Sequence, residues 1–207
     1  MQIIEPSYEI LNPTPFDGAE ILRRIELIGR VCYKSEDRIT DESAPKFVKA
    51  VIARGHESVI EHVSITVRFI VDRGVSHELV RHRLCSFSQE STRYCNYGKS
   101  GELTFIKPLW WGNSGPWLSE TEWYAWKAAC FAAEEAYLDL LRIGAKPEQA
   151  RSVLPNSTKT EVVMTANLRE WRHIFRLRTA PTAHPQMRQV MCPLRDELAA
   201  RLPEVFG

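Results

Sequence analysis

The sequence predicts a single mixed α+β domain that extends over residues 1–207. A chain of this length fits one domain better than two. Strand-like and helix-like segments follow one another irregularly, without the repeating strand–helix–strand units of a doubly wound sheet. Because no Gly-x-Gly-x-x-Gly follows a predicted strand, a dinucleotide crevice of the Rossmann type is not expected.

The first half of the chain is predicted to contain a short strand, two helices and a long strand. After the strand at 2–11, a helix over 17–33 is predicted by apolar residues at helical spacing, namely Ile21, Ile25, Ile28 and Cys32. Pro45 suits the first position of the second helix, and Gly55 suits a left-handed cap at its end. Residues 63–71 alternate between apolar and polar side chains, which is the clearest strand pattern in the chain. A short helix over 77–83 and then a loop are expected to follow.

Capping residues organise the second half of the chain. A capping box formed by Ser119 and Glu122 precedes the longest predicted helix, which ends at Gly144. A second capping box, Asn167 and Glu170, predicts the start of another helix. The other predicted segments are a strand at 103–106, a loop at 110–117, a short helix after Pro147, a strand at 160–165, and a last helix over 185–202 that contains Pro193 and buries Met187, Val190, Met191, Leu194 and Leu198.

Composition and charge argue against several classes of protein. The chain is 44% hydrophobic and 26% charged, which is typical of a water-soluble globular protein, and its net charge of +1 gives no basic footprint for a long nucleic acid. Its five cysteines are widely spaced, which favours reduced thiols over a zinc ribbon. The first residues do not resemble a signal peptide, and no apolar run approaches the ~18 residues needed to span a bilayer. We therefore expect a cytoplasmic protein without a membrane or nucleic-acid partner.

The segment 81–93 is the most informative part of the sequence. It contains three arginines, one histidine and three serines, with Glu90 as its single acid. Arginine guanidinium groups hold phosphates and planar carbonyl edges through paired hydrogen bonds. The segment therefore predicts a site for an anionic, planar ligand such as a nucleotide or a flavin. The alternative is a basic loop that is exposed to water.

The segment 56–62 carries two histidines and two acids within seven residues. A metal-dependent hydrolase that uses His56, Glu61 and His62 is one interpretation, although the spacing is not His-Glu-x-x-His and a third ligand is not evident. The histidines could also have a structural role at the end of a helix. Contact with a ligand is the third interpretation.

Two further clusters contain arginine. Arg151 follows a short predicted helix and, taken alone, is most simply a surface residue. Arg169, Arg172 and Arg176 share one face of the helix over 167–178, with His173 beside them. A cationic face of this kind can be exposed to water, or it can belong to a non-enzymatic nucleic-acid-binding domain.

These segments together resemble a known family. The order Arg-His-Arg, two residues, Ser, four residues, Ser, one residue, Arg in 81–93 resembles the signature of the flavin-dependent thymidylate synthases. The segment 56–62 is similar to the family's His-Glu-x-x-x-Glu-His, and 144–155 is similar to its Gly-x-x-x-x-x-Ala-Arg-x-x-Leu-Pro. The segment 167–186 supplies the family's remaining pattern through Asn167, Arg169, Leu177, Arg178, His184 and Gln186.

The resemblance implies a fold, a reaction and an assembly. The fold is a small, largely antiparallel sheet with long helices. The reaction is the reductive methylation of dUMP to dTMP, with methylenetetrahydrofolate as carbon donor and NADPH as reductant through FAD. No protein nucleophile and no metal are required, and the assembly is a homotetramer.

The resemblance also implies roles for individual residues. Arg178 is the expected catalytic residue, because it would stabilise the uracil ring ionised at nitrogen 3. The residues expected to bind FAD are Ser58, Arg81, His82, Arg83, Gln89, Asn167, Arg169 and His173. The residues expected to bind dUMP are Glu78, Arg81, Gln89, Glu90, Ser91, Thr92, Arg93, Arg151 and Arg178. Glu78, Ser88 and Gln89 depart from the common family pattern, which leaves a flavin-dependent methylase of a related pyrimidine nucleotide open.

Overall fold

The computed structural model describes residues 1–12, 17–99, 101–110 and 120–207. Its elements are β1 (Gln2–Ile4), β2 (Ser7–Ile10), α1 (Gly18–Val31), α2 (Ser43–Ala53), β3 (Ser64–Asp72), α3 (Arg73–Leu79), β4 (Ser86–Gln89), β5 (Thr104–Ile106), α4 (Glu120–Arg142), α5 (Pro147–Ala150), β6 (Lys159–Asn167), α6 (Leu168–Arg178), α7 (Pro185–Arg201) and α8 (Pro203–Phe206). Short 3₁₀ helices occur at Glu36–Arg38, Glu57–His62, Tyr97–Lys99 and Arg151–Val153.

The strands form two small sheets. Four strands are ordered β2-β3-β6-β4, and β1 pairs with β5 in parallel. The prediction of a mixed α+β fold with a small, largely antiparallel sheet and long helices is confirmed. No helix in the part of the chain that the structure describes is long and apolar enough to cross a membrane.

The chain divides into two compact units, each built from separate segments. The first contains residues 1–8, 68–81 and 87–163. Its core gathers around the fully buried ring of Tyr137 on α4, together with the buried Phe105 of β5 and Leu103, which immediately precedes that strand. Buried Glu134, also on α4, accepts the Leu103 backbone N–H at 2.7 Å, which joins the helix to the strand segment.

The second unit contains residues 9–67, 82–86 and 164–207. Helices α1 and α2 pack together here, and buried Glu26 accepts hydrogen bonds from Arg30 at 2.7 Å and Ser43 at 2.7 Å. The fully buried Trp171 of α6 donates its indole N–H to the Ile65 carbonyl of β3 at 3.0 Å. All five residues predicted to line the inner face of α7 are buried.

Several predicted boundaries were wrong. The first strand is interrupted at Pro6, which has no N–H to donate to a partner strand. The second helix begins at Ser43, before Pro45. The short helix begins at Arg73 and not at 77, because the Asp72 carboxylate accepts the Val75 N–H at 2.7 Å and caps it there.

Some predicted features take a different form. The expected loop after 83 contains strand β4. On α1, Ile25 is buried as expected, but Cys32 is exposed and follows the end of the helix. Ser119 and most of the loop predicted at 110–117 lie outside the described residues.

Candidate functional site

The predicted site residues fall into two groups, one in each compact unit. The segments 78–81 and 89–93 belong to the first unit together with Arg151. The other predicted residues belong to the second unit: Ser58, His82, Arg83, Asn167, Arg169, His173 and Arg178.

Strand β4 fixes Gln89 and the residue that follows it. The Gln89 amide nitrogen donates to Ser76 Oγ at 3.0 Å and to Thr160 Oγ1 at 3.2 Å. The Glu90 carboxylate accepts from Lys159 Nζ at 3.1 Å and from the Glu161 backbone N–H at 3.2 Å. Both predicted ligand contacts are therefore also anchored to β6.

A turn at 91–95 follows β4 and contacts two residues of the 147–153 segment, Glu148 and Arg151. The Ser91 carbonyl accepts the Tyr94 and Cys95 N–H groups. Buried Thr92 accepts a hydrogen bond from Arg151 Nη1 at 3.2 Å, and Arg151 is 59 residues away along the chain. The neighbouring Arg93 is 55% exposed and lies 3.9 Å from the Glu148 carboxylate.

The other predicted residues of this unit lie on or beside α3. Glu78 is half-buried on the helix, and Arg81 follows the helix as an exposed residue. The next two residues belong to the second unit: His82 is buried and Arg83 is exposed, so the Arg-His-Arg sequence alternates between surface and interior.

In the second unit, helix α6 carries the third cluster. The Asn167 side chain caps the helix by accepting the Glu170 N–H at 2.9 Å, as its predicted capping role requires. Arg169 donates to Glu61 at 2.5 Å and lies 3.6 Å from Glu57. Arg172 also contacts Glu57, at 3.2 Å. Two of the three arginines on the cationic face of α6, Arg169 and Arg172, are thus paired with acids.

Glu57, Glu61 and Arg172 were not among the predicted site residues. Both acids stood in the 56–62 segment, where they suggested metal binding or ligand contact. The opposite charges of this segment and of the α6 arginines indicate that they could pair. The sequence does not specify which acid contacts which arginine. Ser58 is exposed in the same 3₁₀ turn. His56 accepts or donates a hydrogen bond with the Tyr33 hydroxyl at 2.7 Å.

Arg178 is held by a buried histidine. Its Nε–H donates to His82 Nε2 at 2.9 Å, so that nitrogen must be unprotonated. Burial, and then the adjacent charges of Arg178 and His173, lower the pKa of His82 from 6.5 to about 4. The neutral ring therefore carries its proton on Nδ1, which lies 3.8 Å from the carboxylate of buried Glu170.

His82, Glu170 and His173 bring their donor atoms within 4.8 Å of one another, and these are types of side chain that bind metals. Two of the ring nitrogens are already engaged, however, because Arg178 contacts His82 and Arg176 Nη2 lies 2.9 Å from His173 Nδ1. A metal cation beside two guanidinium groups would be electrostatically unfavourable.

A cavity of about 940 Å³ opens over α6 in this unit. Three residues predicted to bind flavin, Asn167, Arg169 and His173, line it. Additional lining comes from Glu57, Glu61, Leu84, Glu170, Arg172, Phe175, Arg176, Arg195, Val205, Phe206 and Gly207. The cavity has the size of a ligand site and combines cationic donors with apolar and aromatic surface.

Cys85, within the segment 81–93, does not have the environment of a nucleophile. Burial and then the neighbouring Glu170 raise the pKa of its thiol to about 12. A nucleophilic cysteine requires a thiolate, which such an environment disfavours near neutral pH.

The model of one protein family matches this chain over residues 18–204, and that family is described as thymidylate synthase complementing protein. The chain belongs to this family. The family recognised from the sequence is thus confirmed, and so is the prediction of an enzyme. The alternative of a non-enzymatic nucleic-acid-binding domain is thereby excluded.

Relatives and solved structures agree on this membership. A flavin-dependent thymidylate synthase from Corynebacterium glutamicum is 32% identical over 216 residues, which cover 98% of this chain and 84% of that protein. Another from Pyrococcus furiosus is 32% identical over 84% of this chain and 70% of that protein. The crystal structure of a UMP/dUMP methylase, PolB, from Streptomyces cacaoi bound with 5-Br dUMP aligns with a TM-score of 0.79 and 26% identity, covering 100% of this chain and 95% of that one.

Proposed function

We propose that this protein catalyses the reductive methylation of dUMP to dTMP, with methylenetetrahydrofolate as carbon donor and NADPH as reductant through FAD. The observation that carries the proposal is the 32% identity to a flavin-dependent thymidylate synthase over 98% of the chain. The roles proposed for individual residues rest on the family motifs together with the contacts of each side chain.

The phosphate of the nucleotide is assigned to the 91–95 turn and Arg151. A dianionic phosphate needs fixed cationic donors and hydroxyl groups. Arg93 and Arg151 would supply the guanidinium groups, with Ser91 as a hydroxyl donor. Thr92, which already holds Arg151 at 3.2 Å, would position it for the phosphate. Further proposed nucleotide contacts are Glu78, Arg81, Gln89 and Glu90.

Arg178 is assigned to the uracil ring. A guanidinium at the carbonyl edge would stabilise negative charge that develops when nitrogen 3 is ionised, which makes carbon 5 electron-rich. His82 fixes the orientation of Arg178 by accepting its Nε–H. A neutral histidine performs this role better than a charged one, because a protonated ring has no acceptor and would repel the guanidinium.

The cavity over α6 is assigned to FAD. Its chemistry fits the cofactor, since arginines suit a diphosphate and the Phe175 and Phe206 side chains offer apolar surface. When bound, FAD would supply the hydride that completes the methyl group. Asn167, Arg169 and His173 would hold the cofactor from the cavity wall. The other proposed contacts are Ser58, Arg81, His82, Arg83 and Gln89.

The test combines spectroscopy with product analysis. The purified protein should absorb near the flavin bands and release FAD on denaturation. With dUMP, NADPH and methylenetetrahydrofolate labelled in its one-carbon unit, it should produce labelled dTMP. A yellow protein that makes no dTMP from these substrates would contradict the proposed reaction but leave flavin binding intact.

A second candidate is methylation of UMP by the same chemistry. It is favoured by the similarity to a UMP/dUMP methylase and by the departures of Glu78 and Gln89 from the common family pattern. Parallel reactions with UMP and dUMP at equal concentration decide between them. A kcat/KM ratio that favours UMP would make the ribonucleotide the substrate.

We further propose that the protein is a cytoplasmic homotetramer. The proposal follows from the family that the sequence resembles, in which sites are built from several subunits. Analytical ultracentrifugation measures the assembly directly, and a monomeric enzyme with full activity would rule out shared sites.

A further inference from the structure

The second compact unit contains another cavity, of about 520 Å³, at the C-terminal end of α1 and beside α2. We call it the basic pocket. It is defined by the cationic residues Arg30, Lys34, Arg38 and Arg54 and by the aromatic residues Tyr33 and Phe47, with Asp37 as the acid in its lining. None of these residues belongs to the motifs assigned above to nucleotide or flavin.

Positive charge exceeds negative charge in this pocket. Arg30 is neutralised by Glu26 at 2.7 Å. Lys34, Arg38 and Arg54 form no ion pair within the described part of the chain, and Asp37 balances one of them at most. Cations that share a concave surface attract anions more strongly than the same charges spread over a convex one.

The backbone conformation at Lys34 is a second, independent indication that the basic pocket has a function. Among the residues that the structure describes, Lys34 is the one non-glycine residue with a positive φ, at 46°. It closes α1 through the Ser35 N–H, which donates to the Arg30 carbonyl at 3.3 Å. Helices α2 and α4 end with the same backbone pattern, but there the left-handed position holds Gly55 (φ 77°) and Gly144 (φ 99°).

Glycine is the residue that this helix ending favours, because a side chain in the left-handed region is strained. The lysine at the end of α1 therefore costs conformational free energy that glycine would avoid. A strained residue at the wall of a pocket is a reason to look for a function of its side chain. Here the side chain adds an ammonium group to the basic pocket.

The pocket is also connected to the segment proposed to hold flavin. Tyr33 lines the pocket, and its hydroxyl lies 2.7 Å from His56 Nδ1. The two rings are stacked with their centroids 6.5 Å apart. His56 immediately precedes the turn that carries Ser58. An anion in the pocket would thus be close to the proposed flavin segment, where a co-substrate has to approach.

We propose that the basic pocket binds the anionic end of a co-substrate. The shared chemistry is a multiply charged oxyanion held by two arginine forks and an ammonium group. Two sources supply it: the phosphate that distinguishes NADPH from NADH, and the carboxylates of a polyglutamylated folate. The identity of these co-substrates rests on the proposed function, whereas binding of an oxyanion does not.

The kinetic test uses Lys34→Gly and Arg54→Gln in the FAD-loaded enzyme, with Lys49→Gln as control. Lys49 is an exposed lysine on α2 that does not line the pocket. We expect KM for one co-substrate to rise about 5- to 10-fold at low salt, with kcat unchanged. A rise for NADPH but not NADH identifies the phosphate. A rise for pentaglutamyl but not monoglutamyl folate identifies the carboxylates. Equal KM values in all variants would overturn the proposal.

A binding test separates the pocket from the reaction. Calorimetric titration with inorganic pyrophosphate and with pentaglutamate should show binding to the parent protein and to Lys49→Gln, weakened about 5- to 10-fold in Lys34→Gly. The Lys34→Gly protein should also have a higher melting temperature, so weaker binding cannot be attributed to unfolding. Anion binding without dTMP formation would support the pocket and contradict the proposed function. Formation of dTMP with identical anion titrations in all variants would support the proposed function and contradict anion binding in the basic pocket.

Discussion

Acid should destabilise this protein through His82, and the size of the effect follows from its environment. The ring is 6% exposed and accepts a hydrogen bond from Arg178, and its pKa is lowered from 6.5 to about 4. Between these two values the unfolded chain binds a proton at His82 while the folded protein does not. The free energy of unfolding therefore decreases as pH falls from 6.5 to 4, and this contribution is fully present above pH 6.5.

The magnitude is roughly 3 kcal/mol over the whole window, with a slope of up to about 1.4 kcal/mol per pH unit. His82→Gln removes the titration, and its amide oxygen remains able to accept from Arg178. The difference in unfolding free energy between parent and variant should therefore shrink as the pH is lowered. Other acids titrate in both proteins and cancel in this difference.

The assay is urea denaturation of FAD-free protein at several pH values between 4 and 7.5, so that cofactor binding does not contribute. His77→Gln is the matched control, because His77 is an exposed histidine on α3. We expect the unfolding free energy of the His77→Gln control to change with pH in the same way as that of the parent. Parallel curves for parent and His82→Gln would refute the reasoning, since they would mean that His82 binds its proton equally in the folded and unfolded states.

Three further predictions concern packing and chemistry. Gly29→Ala should lower the unfolding free energy by about 1–3 kcal/mol in urea, because the added Cβ would lie 2.6 Å from Phe47 Cε1; a neutral change would mean that the ring moves away freely. Arg178→Lys should lose roughly 2–4 kcal/mol of transition-state stabilisation at saturating dUMP while FAD absorbance persists, and parental turnover would contradict its role. The Cys85 thiol should react slowly with iodoacetamide at pH 7.5, and Cys85→Ser should make dTMP; a covalent adduct with dUMP during turnover would overturn this.

Features with a local cause could be predicted from the sequence. The buried face of α7 depends on apolar residues at helical spacing, and all five predicted positions are buried. Asn167 caps α6 because its side chain reaches an N–H only three residues ahead. Gly55 ends α2 with positive φ, since glycine pays little for that conformation. The family signature is likewise a matter of residue type and spacing.

Features that depend on which distant residues meet were decided by the tertiary structure. Arg169 pairs with Glu61 across 108 residues, and the sequence offered many acids as partners for each arginine. The sequence pattern predicts a loop where β4 forms, because these four residues become a strand through pairing with β6 and not through their own pattern.

The charge state of His82 was also decided by the tertiary structure. Its sequence neighbours are two arginines, and nothing local indicates that it is buried while they are exposed. Burial and the contact with Arg178, 96 residues away, lower its pKa. The sequence therefore predicts candidate residues of the site through their types and spacing. Their protonation and pairing depend on desolvation and on charges that only the folded chain brings within a few ångströms.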